Sequence, residues 1–188
     1  MEAFLVSTGL VALAETGDKT QLLAILLAAR FRSPLPIILG ILVATLANHA
    51  LAGAAGHWLS HLVDPDVMRW LLGLSFLAMA VWALIPDRMD ELDTASGHWG
   101  VFATTLAAFF LAEMGDKTQV ATVALAAQYQ SLLAVVAGTT LGMMLANVPA
   151  VYLGERITRR IAIPLIHKIA AALFLLLGLT TLLLPGAA

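Results

Sequence analysis

Two stretches of the chain carry acidic, basic and hydroxyl side chains at the same spacing. Ala14–Gln21 reads A-E-T-G-D-K-T-Q and Ala112–Gln119 reads A-E-M-G-D-K-T-Q, so seven of eight positions are identical. Each copy lies within a long block of apolar residues. An acidic residue at the centre of a membrane-spanning helix costs about 2.5–3.5 kcal/mol to insert, and such residues are functional candidates by default. The repeated motif is therefore the strongest candidate for a functional site.

Four carboxylates stand in the two motifs, at Glu15, Asp18, Glu113 and Asp116. Residues three apart share a helix face, so the glutamate and aspartate of one copy can face one ligand. Carboxylate, amide and hydroxyl oxygens are the ligands of hard divalent cations such as Mg²⁺, Ca²⁺ and Mn²⁺. We predict a metal site made by these four carboxylates. Supporting oxygens are expected from the nearby polar side chains of Thr20, Gln21, Asn48, Thr118, Gln119 and Asn147.

Lysines complete the charge of each motif. Lys19 and Lys117 follow their glutamates by four positions, the favourable orientation for a Glu–Lys pair on a helix. Four carboxylates and two ammonium groups sum to −2, which one divalent cation or two protons would neutralise. This suggests exchange of one metal ion for about two protons. The alternative is a buried network of ion pairs that only fixes helix register. Gly17 and Gly115 are expected to let the helix bend or unwind.

The composition places these motifs in a membrane. Of the 188 residues, 61% are hydrophobic and 12% are charged, whereas soluble domains carry about 25% charge. A net charge of −2 gives no sign of nucleic-acid binding. No gap between apolar blocks is long enough for a nucleotide-binding domain, so any active transport would draw on an ion gradient. The sequence predicts an all-α integral membrane protein with six transmembrane helices, at 3–29, 35–56, 67–85, 100–127, 131–153 and 162–184.

The internal repeat divides these six spans into two halves, 1–86 and 100–188, joined by an acidic linker at 87–99. Asn48 in the second span of the first half corresponds to Asn147 in the other half. Because each half has an odd number of spans, the second half enters the membrane from the opposite face. Such inverted repeats are common in secondary transporters, whose sites lie near the bilayer midplane.

Basic residues in the short loops predict the orientation. The asymmetry favours both termini outside and the linker in the cytoplasm; the expected location is the cell (inner) membrane. One side holds Arg69 alone, and the other holds Arg30, Arg32, Arg88, Arg156, Arg159 and Arg160.

At the motif residues the sequence resembles the transmembrane-protein-165 (Gdt1-like) family of cation transporters, whose hallmark is two copies of E-x-G-D-[KR]-[TS]. Both copies are complete here, at Glu15–Thr20 and Glu113–Thr118. The resemblance implies transport of Mn²⁺ and Ca²⁺ in exchange for protons, manganese export in bacterial members, and a cation site made by the acidic residues of each motif. It implies a transporter without a resident cofactor, and not an enzyme.

Several alternatives stay open at this point. The chain could be a Ca²⁺/H⁺ exchanger with Mn²⁺ incidental, a passive channel, or an intramembrane aspartyl protease built on a carboxylate pair. The two motifs could share one ion or hand it on. Met114 could be a thioether ligand that favours Mn²⁺, and His49 a ligand or proton relay. Gly138-x-x-x-Gly142 suits close helix contact, either in a homodimer or within one chain.

Overall fold

The computed structural model describes residues 1–85, 100–154 and 162–183, and all regular structure in these ranges is helical. The predicted all-α fold is confirmed. The linker at 87–99 and four of the arginines used for orientation (Arg88, Arg156, Arg159 and Arg160) lie outside the described residues. The described ranges contain eight helices: α1 (Glu2–Glu15), α2 (Lys19–Phe31), α3 (Pro34–Leu62), α4 (Pro65–Trp82), α5 (Val101–Glu113), α6 (Lys117–Tyr129), α7 (Leu132–Leu153) and α8 (Ile163–Leu183).

Three of these helices, α3, α7 and α8, are each long and apolar enough to cross a membrane alone. The shortest has 21 residues, which at about 1.5 Å per residue matches a hydrocarbon core of roughly 30 Å. The molecular surface is also apolar, with large side chains exposed along several helices. Examples are Leu5, Leu35, Leu51, Leu74 and Leu133. A surface of this kind belongs in lipid rather than in water.

The first and fourth apolar blocks each form two helices instead of one. Thr16–Asp18 separate α1 from α2, and Met114–Asp116 separate α5 from α6. Gly17 and Gly115 have φ values of 88° and 77°, in the left-handed region that glycine enters at little cost. The bend expected of these two glycines is confirmed. Because each motif crosses a break, the helical i,i+3 spacing used to pair its glutamate with its aspartate was wrong.

The two halves interlock. Helix α1 packs along α7, α5 packs along α3, and α4 packs along α8, so each pairing joins one half to the other. Small residues allow the first contact: a Cβ added at Gly142 would lie 2.6 Å from the carbonyl oxygen of Thr8, and one at Gly138 would lie 2.6 Å from that of Phe4. The G-x-x-x-G pattern therefore serves packing within the chain, where close van der Waals contact holds membrane helices together.

Candidate functional site

Glutamine side chains stabilise the two helix breaks in the same way. The backbone N–H of Gly17 donates to Oε1 of Gln21 at 2.9 Å, and that of Gly115 donates to Oε1 of Gln119 at 2.7 Å. Backbone donors beside a helix start need such partners because they have none within the helix. Gln21 also donates through Nε2 to the carbonyl oxygen of Ala146 at 2.9 Å, which ties α2 to α7. The glutamine oxygens expected on the metal are thus already engaged in shaping the breaks.

Threonine hydroxyls orient the two glutamates. Oγ1 of Thr20 donates to Oε2 of Glu15, and Oγ1 of Thr118 donates to Oε2 of Glu113 at 3.0 Å. The other carboxylate oxygen of each glutamate, Oε1, is buried and has no hydrogen-bond partner among the described residues. Buried acceptors without a partner are rare in proteins and call for an explanation, of which an ion is one.

Three carboxylates meet between the two breaks. One oxygen each from Glu15, Glu113 and Asp116 lies within 4.8 Å of the others, and the three residues are 0%, 0% and 3% exposed. The group therefore draws on both motifs, as the repeat predicted. Asp18 is equally buried, at 1% exposure, but it does not belong to this three-residue group. Its Oδ1 accepts from the backbone N–H of Lys19 at 2.8 Å, which caps the start of α2.

The lysines pair across the two motifs rather than within them. Nζ of Lys19 lies 2.8 Å from Oδ1 of Asp116, and Nζ of Lys117 lies 3.3 Å from Oδ2 of Asp18. The expected pairs of each lysine with the glutamate four positions earlier were wrong. The physical reason is the helix break: it removes the one-turn register that would have stacked the two side chains. The cross-pairs bind one half of the site to the other.

The two asparagines lie in the same interior but play different parts. Nδ2 of Asn48 donates to the carbonyl oxygen of Phe110 at 3.0 Å, which joins α3 to α5. Nδ2 of Asn147 donates within its own helix to the carbonyl oxygen of Met143 at 3.1 Å. Both residues are buried, and both Oδ1 atoms lack a hydrogen-bond partner among the described residues. Asn48 on α3 and Asn147 on α7 thus each keep a side-chain carbonyl oxygen without a partner in the described part of the chain.

Other side chains separate into those that fit the site and those that do not. Met114 is 57% exposed, unlike the buried carboxylates, so its surroundings do not support a thioether ligand. His49 is fully buried, and neither ring nitrogen has a hydrogen-bond partner in the described part of the chain.

Sequence reasoning missed Ile163 and His167, which contact the first break from α8. Neither residue belongs to the repeated motif, and periodicity gives no signal for a contact between segments this far apart in the chain.

The geometry suits a hard cation bound by oxygen. Oxygens on opposite sides of one ion at about 2.3–2.6 Å lie about 5 Å apart, so a group confined to 4.8 Å can close on a single ion. Burying three carboxylates together is costly unless cations or protons offset their mutual repulsion. Lys19 offsets one charge at Asp116. The remaining charge on Glu15 and Glu113 would be offset by one divalent ion or by protons.

Known proteins match this chain over nearly its whole length. A family model described as "Divalent cation/proton antiporter GDT1" matches residues 3–91 and 101–186. A Vibrio cholerae protein named "Putative manganese exporter" is 51% identical over 182 residues, covering 96% of this chain and 90% of that protein. "GDT1-like protein sll0615" from Synechocystis is 30% identical, covering 96% of this chain and 97% of the relative. "GDT1-like protein 3" from rice is 29% identical over 93% of this chain and 71% of its own length. No solved structure matches the chain.

Proposed function

This chain belongs to the GDT1 family of divalent cation/proton antiporters, and from that premise we propose that it exports Mn²⁺ from the cytoplasm in exchange for protons. It is a membrane transporter and not an enzyme. The choice of Mn²⁺ is supported by the name of the Vibrio cholerae relative, which is 51% identical. The choice of site is supported by one observation above all, the meeting of Glu15, Glu113 and Asp116 within 4.8 Å.

In this proposal Mn²⁺ is the substrate of a site made by both motifs. Glu15, Glu113 and Asp116 supply carboxylate oxygens directly. Asp18 acts as the fourth carboxylate and holds Lys117, which keeps the charge of the second motif balanced. A soft thiolate site is excluded because the chain contains no cysteine, and an all-oxygen site is typical of Mn²⁺, Ca²⁺ and Mg²⁺.

The proposed topology has six spans. The broken pairs α1–α2 and α5–α6 each count as one span, alongside α3, α4, α7 and α8. Three spans in each half give the inverted arrangement, with the breaks near the midplane. Both termini lie outside and the linker at 87–99 lies in the cytoplasm of the inner membrane. Exposed Arg30, in the last turn of the first span, supports this orientation, since basic residues at the ends of spans stay on the cytoplasmic side.

Proton exchange follows from the charge of the site. Four carboxylates and two lysines carry −2, so a site emptied of its metal ion would be neutral with two protons bound. Metal and protons then compete for the same oxygens, and each can drive the other out. Inward movement of about two protons would export one Mn²⁺.

A Ca²⁺/H⁺ exchanger that carries Mn²⁺ incidentally is the second candidate. The observation in its favour is the donor set itself, because carboxylate and carbonyl oxygens bind Ca²⁺ as readily as Mn²⁺. The two candidates differ only in which ion is transported at the lower concentration.

Proteoliposomes separate these possibilities. We expect a pH gradient to drive uptake of Mn²⁺ at lower concentrations than Ca²⁺, and Asp116→Asn to abolish it by removing a carboxylate from the three-residue group. The matched control is Asp66→Asn, which neutralises an aspartate that is 84% exposed and pairs with Arg69 only at 3.6 Å. Mn²⁺ flux that survives in Asp116→Asn, or that is lost equally in Asp66→Asn, would contradict the assigned site. A lower half-saturation concentration for Ca²⁺ than for Mn²⁺ would favour the second candidate, the Ca²⁺/H⁺ exchanger.

A further inference from the structure

The two helix breaks have similar internal geometry but unequal surroundings. A Cβ added at Gly17 would lie 2.5 Å from Cγ2 of Ile163, so the first turn of α8 sits directly on the first break. At Gly115 no described atom comes within 4 Å of such a Cβ. The repeat makes these two glycines equivalent in sequence. Their difference therefore arises from how the rest of the molecule is arranged around them.

A second contact attaches α8 to the same break. Nε2 of His167 lies 3.1 Å from the carbonyl oxygen of Thr16, the C-cap residue that follows α1. Carbonyls at a helix end lack a partner within the helix, and an imidazole N–H donor supplies one here. The corresponding turn of the first half is the start of α4, where Arg69 pairs with Asp66. Of the described helices, α4 packs mainly against α6 and α8.

Exposure of the side chains agrees with this asymmetry. Met114, which stands in the second motif where Thr16 stands in the first, is 57% exposed, whereas Thr16 is only partly exposed. Lys19, the partner of Asp116, is 26% exposed, whereas Lys117, the partner of Asp18, is 5% exposed. Among the described residues, α8 thus covers the first break, whereas no described side chain covers the second in the same way.

We propose that the first turn of α8 is a latch over the first motif, with His167 as its positioning residue and Ile163 as its cover. This inference rests on the proposed transport function. A transporter built from inverted repeats exposes one site to each side in turn by moving one part against another. The structure is then the state with the first break latched. Release of Thr16 by His167 opens that break, and the start of α4 closes the second by the symmetry of the repeat.

Thiol labelling tests the latch without requiring transport. The chain contains no cysteine, so Thr16→Cys and Met114→Cys each introduce a single thiol at equivalent positions of the two motifs. A small charged methanethiosulfonate reagent reacts only where water reaches. We expect Met114→Cys to react at least about tenfold faster than Thr16→Cys in the solubilised protein. Equal rates, or faster reaction of Thr16→Cys, would overturn the proposal.

The latch itself is tested on the Thr16→Cys background. Adding His167→Ala should raise the labelling rate about tenfold, while His167→Gln, whose amide can still donate to the carbonyl oxygen, should restore much of the protection. Ile163→Ala provides an independent release if His167→Ala folds poorly, as judged by size-exclusion chromatography. Protection that is unchanged in both release variants would overturn the assignment of α8.

The two proposals fail separately in this design. Labelling as predicted in a protein that carries no Mn²⁺ would leave the latch in place and overturn the proposed function. If the protein exchanges Mn²⁺ for protons but Thr16→Cys and Met114→Cys react at equal rates, the proposed function stands and the latch is overturned.

Discussion

Lys19 and Lys117 connect the two halves of the site, because each pairs with the aspartate of the other motif at 2.8 and 3.3 Å. An ammonium group beside a carboxylate competes with a metal ion for the same oxygens. At Asp116 the competition concerns one oxygen, Oδ1, while the buried Oδ2 has no hydrogen-bond partner among the described residues. Under the proposed function, we therefore expect Lys19 to weaken metal binding and so to help the ion leave again.

Lys19→Gln should raise the affinity of the site for Mn²⁺ and slow its release. Removal of one positive charge leaves a net charge of −3 in the site. Because the Lys19–Asp116 pair is partly exposed, we expect the half-saturation concentration for Mn²⁺ to fall about three- to tenfold, and the maximal flux to fall as well. Concentration-dependent Mn²⁺ flux in proteoliposomes measures both. Arg30→Gln, at an exposed cation near the end of α2, should leave both values unchanged. A higher half-saturation concentration in Lys19→Gln would contradict the competition.

The sequence predicted which charged residues are buried together better than it predicted how they pair. Their identity follows from the cost of burying charge in a membrane, which the sequence displays directly. Their partners depend on backbone direction at the break. Asp18, expected beside Glu15 on one helix face, instead caps α2 and faces Lys117. No spacing rule reports such an exchange between segments far apart in the chain.

Helix breaks are the elements that make the candidate site possible, because they bring the carboxylates of Glu15 and Glu113 together. A non-glycine residue in the left-handed region costs about 1–2 kcal/mol. At Gly115 that is the whole expected cost, since no atom of the described residues would lie within 4 Å of the new Cβ. At Gly17 a new methyl group would also press on Ile163.

Gly17→Ala should therefore destabilise the protein more than Gly115→Ala. Overpacking against Ile163 adds about 1–3 kcal/mol to the backbone cost, whereas Gly115→Ala carries the backbone cost alone. Thermal unfolding in detergent, followed by circular dichroism, gives the order of the two variants. Equal losses of stability, or a larger loss in Gly115→Ala, would show that α8 does not press on the first break.

The apolar blocks predicted the remaining helices closely. The block at 35–56 corresponds to α3 (Pro34–Leu62), and that at 131–153 corresponds to α7 (Leu132–Leu153). Hydropathy measures how long an apolar stretch is, and not whether its axis is continuous. The glycines pointed to a bend, but hydropathy did not show that each apolar block is divided into two helices. Three residues between two apolar helices hardly change the mean hydropathy of the block.

The whole molecule is two repeats that share a centre. Helix α1 packs on α7 and α5 on α3, so neither half completes the carboxylate group without the other. The repeat in the sequence predicted this partnership. It could not predict that α8 lies on the first break while no described helix lies on the second in the same way, because two nearly identical motifs do not show which conformation the chain adopts.

The central claim is that metal and protons share the carboxylates of both motifs. Calorimetric titration of Mn²⁺ into the solubilised protein, repeated in two buffers of different ionisation enthalpy, counts the protons released as the ion binds. We expect about two protons per Mn²⁺ in the unaltered chain and about one in Glu113→Gln, because metal ligands must be deprotonated to bind. Binding of Mn²⁺ with no proton release, or with the same release in Glu113→Gln, would contradict the account.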